Sequence, residues 1–349
     1  MRNIKGKLET KFLIGIWLAS WILLLGGQAL PVFGQDLPND LTELSLEELM
    51  QLDVIPVGVL GSHIHSKGEW MLGYRYMIMQ MGEEEDHHGH DESFMITPTS
   101  MRMEMHMVEV MYGVTNRFTM MLMLPYKRLS MDHETHMGQH FTTASEGIGD
   151  LGIMAHYALR RKLSSYWVAL AGFTLPTGSI NQRDETPAGP DQPLPYPMQL
   201  GSGTVDLVTG LTYIHQRASW SWGVHGEGRL RLGRNKYDYR FGNTYHAGAW
   251  ISKRVAEWFA PTLHLDGHAT EDVDGAHPDL NPHMVPTADP QRQSDLHLSL
   301  VPSLNFHIPR GLLENHRLTI EGSFPLYHKH GGIPLGTQWQ LMIAWQWTI

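Results

Sequence analysis

The sequence predicts an all-β chain, a closed antiparallel up-and-down transmembrane β-barrel of about 12 strands. Three observations predict it. The C-terminal stretch Thr337–Ile349 alternates strictly, with Trp339, Leu341, Ile343, Trp345, Trp347 and Ile349 on one parity. Gln338, Gln340, Met342, Ala344, Gln346 and Thr348 hold the other. Successive strand side chains point to opposite faces, so this strand has one greasy, aromatic-ended face and one mostly polar face, as between lipid and water. Stretches of the same kind recur upstream at membrane-crossing length. The connections between them alternate between tight turns and mostly long loops. A soluble sandwich has no reason to keep its long loops at one end.

The N-terminus precedes this pattern. Phe12 to Gly27 is a long apolar run behind Arg2, Lys5, Lys7 and Lys11, with Gly27 and Ala29 in the −3 and −1 positions. That order reads as a secretory signal over residues 1–29, the alternative being an uncleaved anchor. Cleavage near Ala29 removes those four cations and the anion Glu9, taking the net charge from −10 to −13. An acidic exported chain is a poor nucleic-acid binder. The chain has no cysteine, so it has no disulfide framework and no thiolate metal site. Residues 30–68 read as a periplasmic leader. It contains a short amphipathic helix within 40–53, with Ser45 and Glu48 as a capping box and Leu41, Leu44, Leu49 and Leu52 on one face.

Residues 69–349 read as the barrel. Strands are expected near 69–81, 99–112, 117–129, 149–160, 165–175, 204–215, 219–232, 239–252, 257–270, 294–308, 315–327 and 337–349. The tight turns are 113–116, 161–164, 216–218, 254–256 and 309–314, and the other class is 82–98, 130–148, 176–203, 233–238, 271–293 and 328–336. The proline- and glycine-rich 176–203 loop is too stiff for a free linker and is expected to fold over the barrel mouth. Parity sets the facing. On 219–232, Trp220, Trp222, Val224, Leu230 and Leu232 face lipid, while His225, Glu227, Arg229 and Arg231 face the lumen. His264, Asp266 and His268 point inward, as do Arg317 and Glu321, and on 294–308 so do Asp295 and His297. A charge on the lipid face costs ~2–4 kcal/mol near the midplane. On 99–112, Arg102, Glu104 and His106 share one face, which assigns Met101, Met103, Met105 and Met107 to lipid. Glu109 then falls on the wrong side and needs a bulge or a rim position.

Gly147-Ile-Gly-Asp-Leu151 opens one expected strand, with Tyr157 downstream, and Thr174-Leu-Pro-Thr-Gly178 closes the next. In this order and spacing they resemble the outer-membrane family named for the MetA pathway of phenol degradation. Asp184–Gly189, Pro195–Gly203 and Asn281–Pro290 resemble a methionine-rich branch of it. The resemblance covers most of residues 60–349 and implies a barrel with a transport role and no catalytic residues.

Twenty-one methionines and twenty-two histidines are unusual, and sixteen of the methionines lie between Met71 and Met154. Imidazole suits copper(II), zinc and nickel, and thioether suits copper(I). Two acidic, histidine-rich outer loops offer candidate metal ligands: His87, His88, His90 and Asp91 in one, and Met131, His133, His136, Met137 and His140 in the other. Candidate lumen residues are Met77, Met79, His106, Met121, Met123, Met154, His156, His225, His264 and His268, with the charged residues above. Against this, a histidine in a wet lumen is a polar lining residue, and methionine is an apolar filler. No HExxH, CxxC pair, nucleophile elbow or phosphate loop occurs, so no enzyme is expected. The expected function is passage of a small solute. The alternatives are a barrel that binds or translocates copper, silver or another transition metal, and a closed structural barrel. No cofactor is required, copper or another transition metal being the candidate. Expected partners are outer-membrane lipid, the barrel-assembly machinery and a small-molecule or metal-ion solute. The expected location is the outer membrane of a Gram-negative-type bacterium.

Overall fold

In the computed structural model, residues 63–349 are described apart from 84–93, 163, 218, 309 and 312. The proposed signal, most of the leader and the 87–91 candidates lie outside the described residues. The wall begins with β1 (Trp70–Glu83), β2 (Ile96–Thr115) and β3 (Phe118–Thr135). β4 (His140–Ile148) and β5 (Leu151–Lys162) follow end to end, and β6 (Ser165–Leu175) comes next. A loop hairpin, β7 (Arg183–Thr186) and β8 (Gly189–Pro193), precedes β9 (Val205–Gln216) and β10 (Trp220–Leu232). The wall continues through β11 (Thr244–Lys253), β12 (Phe259–Thr270), β13 (Asp295–His307), β14 (His316–His330) and β15 (Leu335–Thr348).

Each wall strand pairs antiparallel with its neighbours, and β15 pairs with β1, which closes the sheet. β3 pairs with β4 along its upper half and with β5 along its lower half, so those two strands fill one position. The result is a closed barrel of twelve strands without a free edge. Both ends of the described chain lie at the short-turn end, where Trp70 and Ile349 exchange backbone hydrogen bonds.

Facing follows parity over most of the wall. Trp220, Trp222, Val224, Leu263, Leu265, Leu304, Ile343 and Trp347 are exposed on the outer surface, and Ser221, His264, Ser303, Thr319, Glu321 and Gln346 are buried inside. Aromatic rings gather on the outside near the short-turn end. Trp70 packs on Tyr112, Trp167 and Trp222 on Tyr213, and Trp258 on Phe306. Such a girdle suits a membrane–water interface.

The strand from 99 corrects two expectations. Met101, Met107 and Met111 are buried inside, whereas Val108 is exposed outside. Glu109 is also inside and needs no bulge, since the β1–β2 register is unbroken from Trp70 to Gly82. The outward charges explain the misreading. β2 has 20 residues and β3 has 18, well beyond the ~9–11 that cross a bilayer. Arg102 and Glu104 sit high on this extension, paired at 2.6 Å, with Arg128 and Glu146 at 2.8 Å. Charges above the hydrocarbon carry no lipid penalty, so they do not report which face meets lipid.

The expected 130–148 loop is mostly a continuation of the sheet, turning at Thr135–Gln139 into β4. The alternation that places Met131 and His133 inward runs on past Leu129. In contrast, residues 239–243 belong to the mouth rather than to β11, and Tyr239 is fully buried there.

Candidate functional site: the lumen wall

The inner wall has two chemically distinct halves. On β1, β2, β3 and β5, the inward positions are largely thioethers. Met71, Met107, Met111, Met121, Met123 and Met154 form one buried cluster with Val208. Unbranched, polarizable side chains fill an irregular interior well. Met77 and Met79 face the same side, Met77 buried and Met79 half-buried.

From β10 to β14 the inward positions carry imidazoles and carboxylates. Register puts His246, His268, His297 and His328 directly across from one another on four successive strands, with Glu227 next to His246 on β10. Paired side chains on adjacent strands stand about 4.5–5.5 Å apart at Cβ, close enough for ring contact. His246 and His268 lie 4.3 Å apart by ring centroid, and His268 and His297 lie 4.9 Å apart. Asp295, two residues above His297 on the same face, accepts from both neighbours. Its Oδ2 is 2.6 Å from His297 Nδ1, and its Oδ1 is bonded to His328 Nε2.

One layer deeper, His225, Gly248 and Asp266 form another register row, and His264 lies beside them. His225 and His264 approach to 5.2 Å between rings, and each lies 3.8 Å from an Asp266 oxygen. Gly248 makes this possible. A Cβ there would sit 2.5 Å from His264 Nε2 and 2.6 Å from His225 Cε1.

The remaining lumen residues stand at different heights. Near the long-loop end, Arg231 is ion-paired with the fully buried Asp206, which also accepts from Thr174 and Thr204. Glu227 and Arg229 are half-buried on the same face of β10. Lower down, Arg75 pairs with Glu109 at 2.8 Å, and Ser303 donates to Glu321 at 3.2 Å. Arg317 and His156 lie near the short-turn end, Arg317 half-buried and His156 buried.

His106 is a correction. It faces outward, with Nδ1 2.7 Å from the Tyr74 hydroxyl and its ring against Tyr76. Nor does the second outer loop gather its candidates. Met131 is buried among Met101, Leu129 and Leu200, and His133 stacks on Phe141. His136, Met137 and His140 are exposed around the β3–β4 turn. Sequence reasoning missed His246 and His328 and did not join Asp295 and His297 to them. The missing signal was register, which brings residues remote in sequence into one row.

Protein segments occupy both mouths. At the long-loop end, Leu194, Met198 and Leu200 pack on Met101, Leu129 and Met131, so the 176–203 loop does fold over the barrel. Tyr196, Tyr239 and Val273 tie that loop to the neighbouring ones, and His277 N donates to Tyr196 Oη at 3.0 Å. The GIGDL motif serves this cap. Asp150 accepts from Gly178 N at 3.0 Å and from Ser202 N and Oγ at 2.7 Å, fastening both ends of the loop. At the other end, residues 63–65 turn into the barrel. Ile64 packs on the inward Tyr166, Val168, Ile214 and Trp250, and His65 N donates to Thr119 Oγ1 at 2.9 Å.

A closed barrel with ionisable groups inside and an aromatic-girdled apolar outside defines a transmembrane β-barrel. The model of the family described as "Putative MetA-pathway of phenol degradation" matches residues 99–291, more than half of the chain. The chain belongs to that family. Its fold is similar to an outer membrane channel of Pseudomonas putida F1, at a TM-score of 0.58 and 14% identity, over 85% of this chain and 100% of that one. Looser likenesses include the β-domain of the Bordetella autotransporter BrkA, with a TM-score of 0.48, 10% identity and coverage of 81% and 99%. Another is the Ralstonia pickettii toluene transporter TbuX, with a TM-score of 0.40, 11% identity and coverage of 84% and 94%. No curated protein matches the chain significantly.

Proposed function

We propose that this protein is a channel for small solutes in the outer membrane of a Gram-negative-type bacterium, with its long loops outside and both described ends on the periplasmic side. The observation that carries the reading is the polarity of the lumen. A barrel that only had to be filled would be filled most stably by apolar side chains, because ionisable groups away from bulk water cost free energy unless paired. Here they line β10 to β14 at successive heights. Within membrane-spanning segments, such groups mark solute pathways. The family supports the reading, as does the shared fold of the Pseudomonas channel. Lipid and the barrel-assembly machinery are the partners this reading requires, and it assigns no catalytic role.

The test is conductance of the full-length protein in planar bilayers, with swelling of liposomes in small sugars and small aromatic acids. Discrete conductance steps or solute-dependent swelling are expected. A barrel that neither conducts nor swells, even with the cap freed by Asp150→Asn and the other mouth loosened by Ile64→Asn, is a closed structural barrel, and the proposal falls.

A further inference from the structure

The histidine row has more order than a polar lining requires. We propose that His268, Asp295, His297 and His328 form a binding site for a divalent first-row transition-metal ion, copper(II) or zinc(II) foremost, in the wall near the long-loop mouth. The inference rests on the channel reading for its location and adds the chemistry of a solute or ligand.

Three observations converge. First, the ligand atoms of His268, Asp295 and His297 all lie within 4.8 Å of one another. Ligands held about 2.0–2.2 Å from one ion are at most about 4.3 Å apart, so small χ rotations suffice to close the set. Second, the site is over-supplied with imidazole around a single carboxylate. His297 and His328 bond the two oxygens of Asp295, and His268 Nδ1 is 3.7 Å from Oδ2, beyond hydrogen-bond reach. That His268 nitrogen is buried and has no hydrogen-bond partner. A divalent cation would take a lone pair from each ring and the carboxylate charge together. Third, the backbone sets the convergence. His268, His297 and His328 are directly paired across three strands on the concave face, where curvature draws side chains together, and the His246 ring packs edge-on against His268 and holds it.

The donor set is selective. Imidazoles with one carboxylate suit copper(II), zinc and nickel, whereas calcium takes six to eight oxygens. The lower trio of His225, His264 and Asp266 has the same donors within the same 4.8 Å and offers a second position deeper in the lumen.

The test uses purified full-length barrel, stripped with chelator, carrying His87→Asn, His88→Asn and His90→Asn so that these histidines do not mask the site. Copper(II) titration followed by electron paramagnetic resonance should show a tight equivalent with hyperfine coupling to several imidazole nitrogens. His268→Asn with His297→Asn should weaken it at least tenfold, and His136→Asn should leave it unchanged. Unchanged affinity in the double variant, or no nitrogen-coupled copper in its parent, overturns the site. Should the double variant lose the heat-modifiable migration of a folded barrel, footprinting of the parent decides. Zinc should protect His268, His297 and His328 from diethyl pyrocarbonate, calcium should not, and absence of zinc protection also overturns the site. Conductance is read on the same preparation without metal. A barrel that conducts but binds no metal removes only this site, and one that binds metal but does not conduct removes the channel reading instead.

Discussion

Glu109 offers the sharpest test of how dry the lumen is. Its side chain is 1% exposed, and that of Arg75 is 7% exposed. One guanidinium nitrogen lies 2.8 and 2.9 Å from the two carboxylate oxygens. Across from Glu109 on β1 stands Gly73, whose missing side chain leaves the carboxylate its space, since a Cβ there would lie 3.3 Å from Oε2. At an effective dielectric of about 20, unit charges at this separation attract by roughly 6 kcal/mol before desolvation is charged against them. Glu109→Ala removes that attraction and leaves Arg75 among packed methionines. Such a broken pair costs about 3–5 kcal/mol. The double variant Arg75→Met with Glu109→Met should recover most of the loss, because two apolar side chains need no partner. Urea unfolding in phospholipid vesicles, read by tryptophan fluorescence and heat-modifiable migration, gives all four corners of the cycle. A Glu109→Ala loss below about 1 kcal/mol, the value of a solvated surface pair, would show that water reaches this level and refute a packed methionine half-wall.

Two further predictions follow from facing and from the cap. Leu265 stands mid-strand on the outer face of β12 between Ala249 and Leu300, so Leu265→Arg should destabilise the folded barrel in vesicles by about 2–4 kcal/mol; a loss under about 0.5 kcal/mol would mean that this face does not meet lipid. His277, in the cap, is buried against Tyr237, and burial lowers its pKa from the ordinary 6.5. On acidification through 6.5, the released imidazole takes a proton and the packed one does not, so packing weakens as pH falls. The cap should therefore be cut faster by a protease active at both values at pH 5 than at pH 7.5, and His277→Gln should flatten that difference.

Most of the wall was legible because lipid enforces period-two alternation wherever a strand crosses it. Trp220 and Trp222, with His225 and Arg229 on the other parity, are the clear case. Legibility failed where that enforcement stops. Above the hydrocarbon, Arg102 and Arg128 sit outside without penalty, so the parity of Arg102 and Glu104 turned Met101, Met103, Met105 and Met107 the wrong way. The histidine row was hidden for a different reason. A tight turn fixes the pairing of its two strands, so His246 opposite His268 follows from the turn at 254–256. The pairing of His268 with His297 spans the long 271–293 loop, whose length fixes no register. A register shift between Leu298 and Ser299 then offsets the count to His328. The GIGDL and LPTG motifs were visible as patterns, but their shared task of pinning the cap through Asp150 needed three dimensions.

The two occupied mouths differ in how firmly they are held, and this assigns the gate. The cap is bound through two buried clusters and through Asp150, so freeing it breaks many contacts together. Among the described residues, the inserted segment at the other end is held by one buried hydrogen bond from His65 N, by Lys67 N donating to Asn116 Oδ1 at 2.8 Å, by the contact of Ile64 and by the turn that pairs Gly68 with Gly113. A net hydrogen bond contributes about 1 kcal/mol, and burial of an isoleucine about 1.5–3 kcal/mol. Among the described residues, withdrawal of 63–65 is thus the less costly opening. Ile64 is half-buried, so Ile64→Asn forfeits roughly 1 kcal/mol of that hold, which corresponds to about a fivefold shift toward the withdrawn state. Single-channel recording should show it as a rise in open probability with unit conductance unchanged. If Ile64→Asn leaves gating as it was while shortening the cap raises it, the gate lies at the long-loop mouth, and solute meets the histidine row only after the cap has moved.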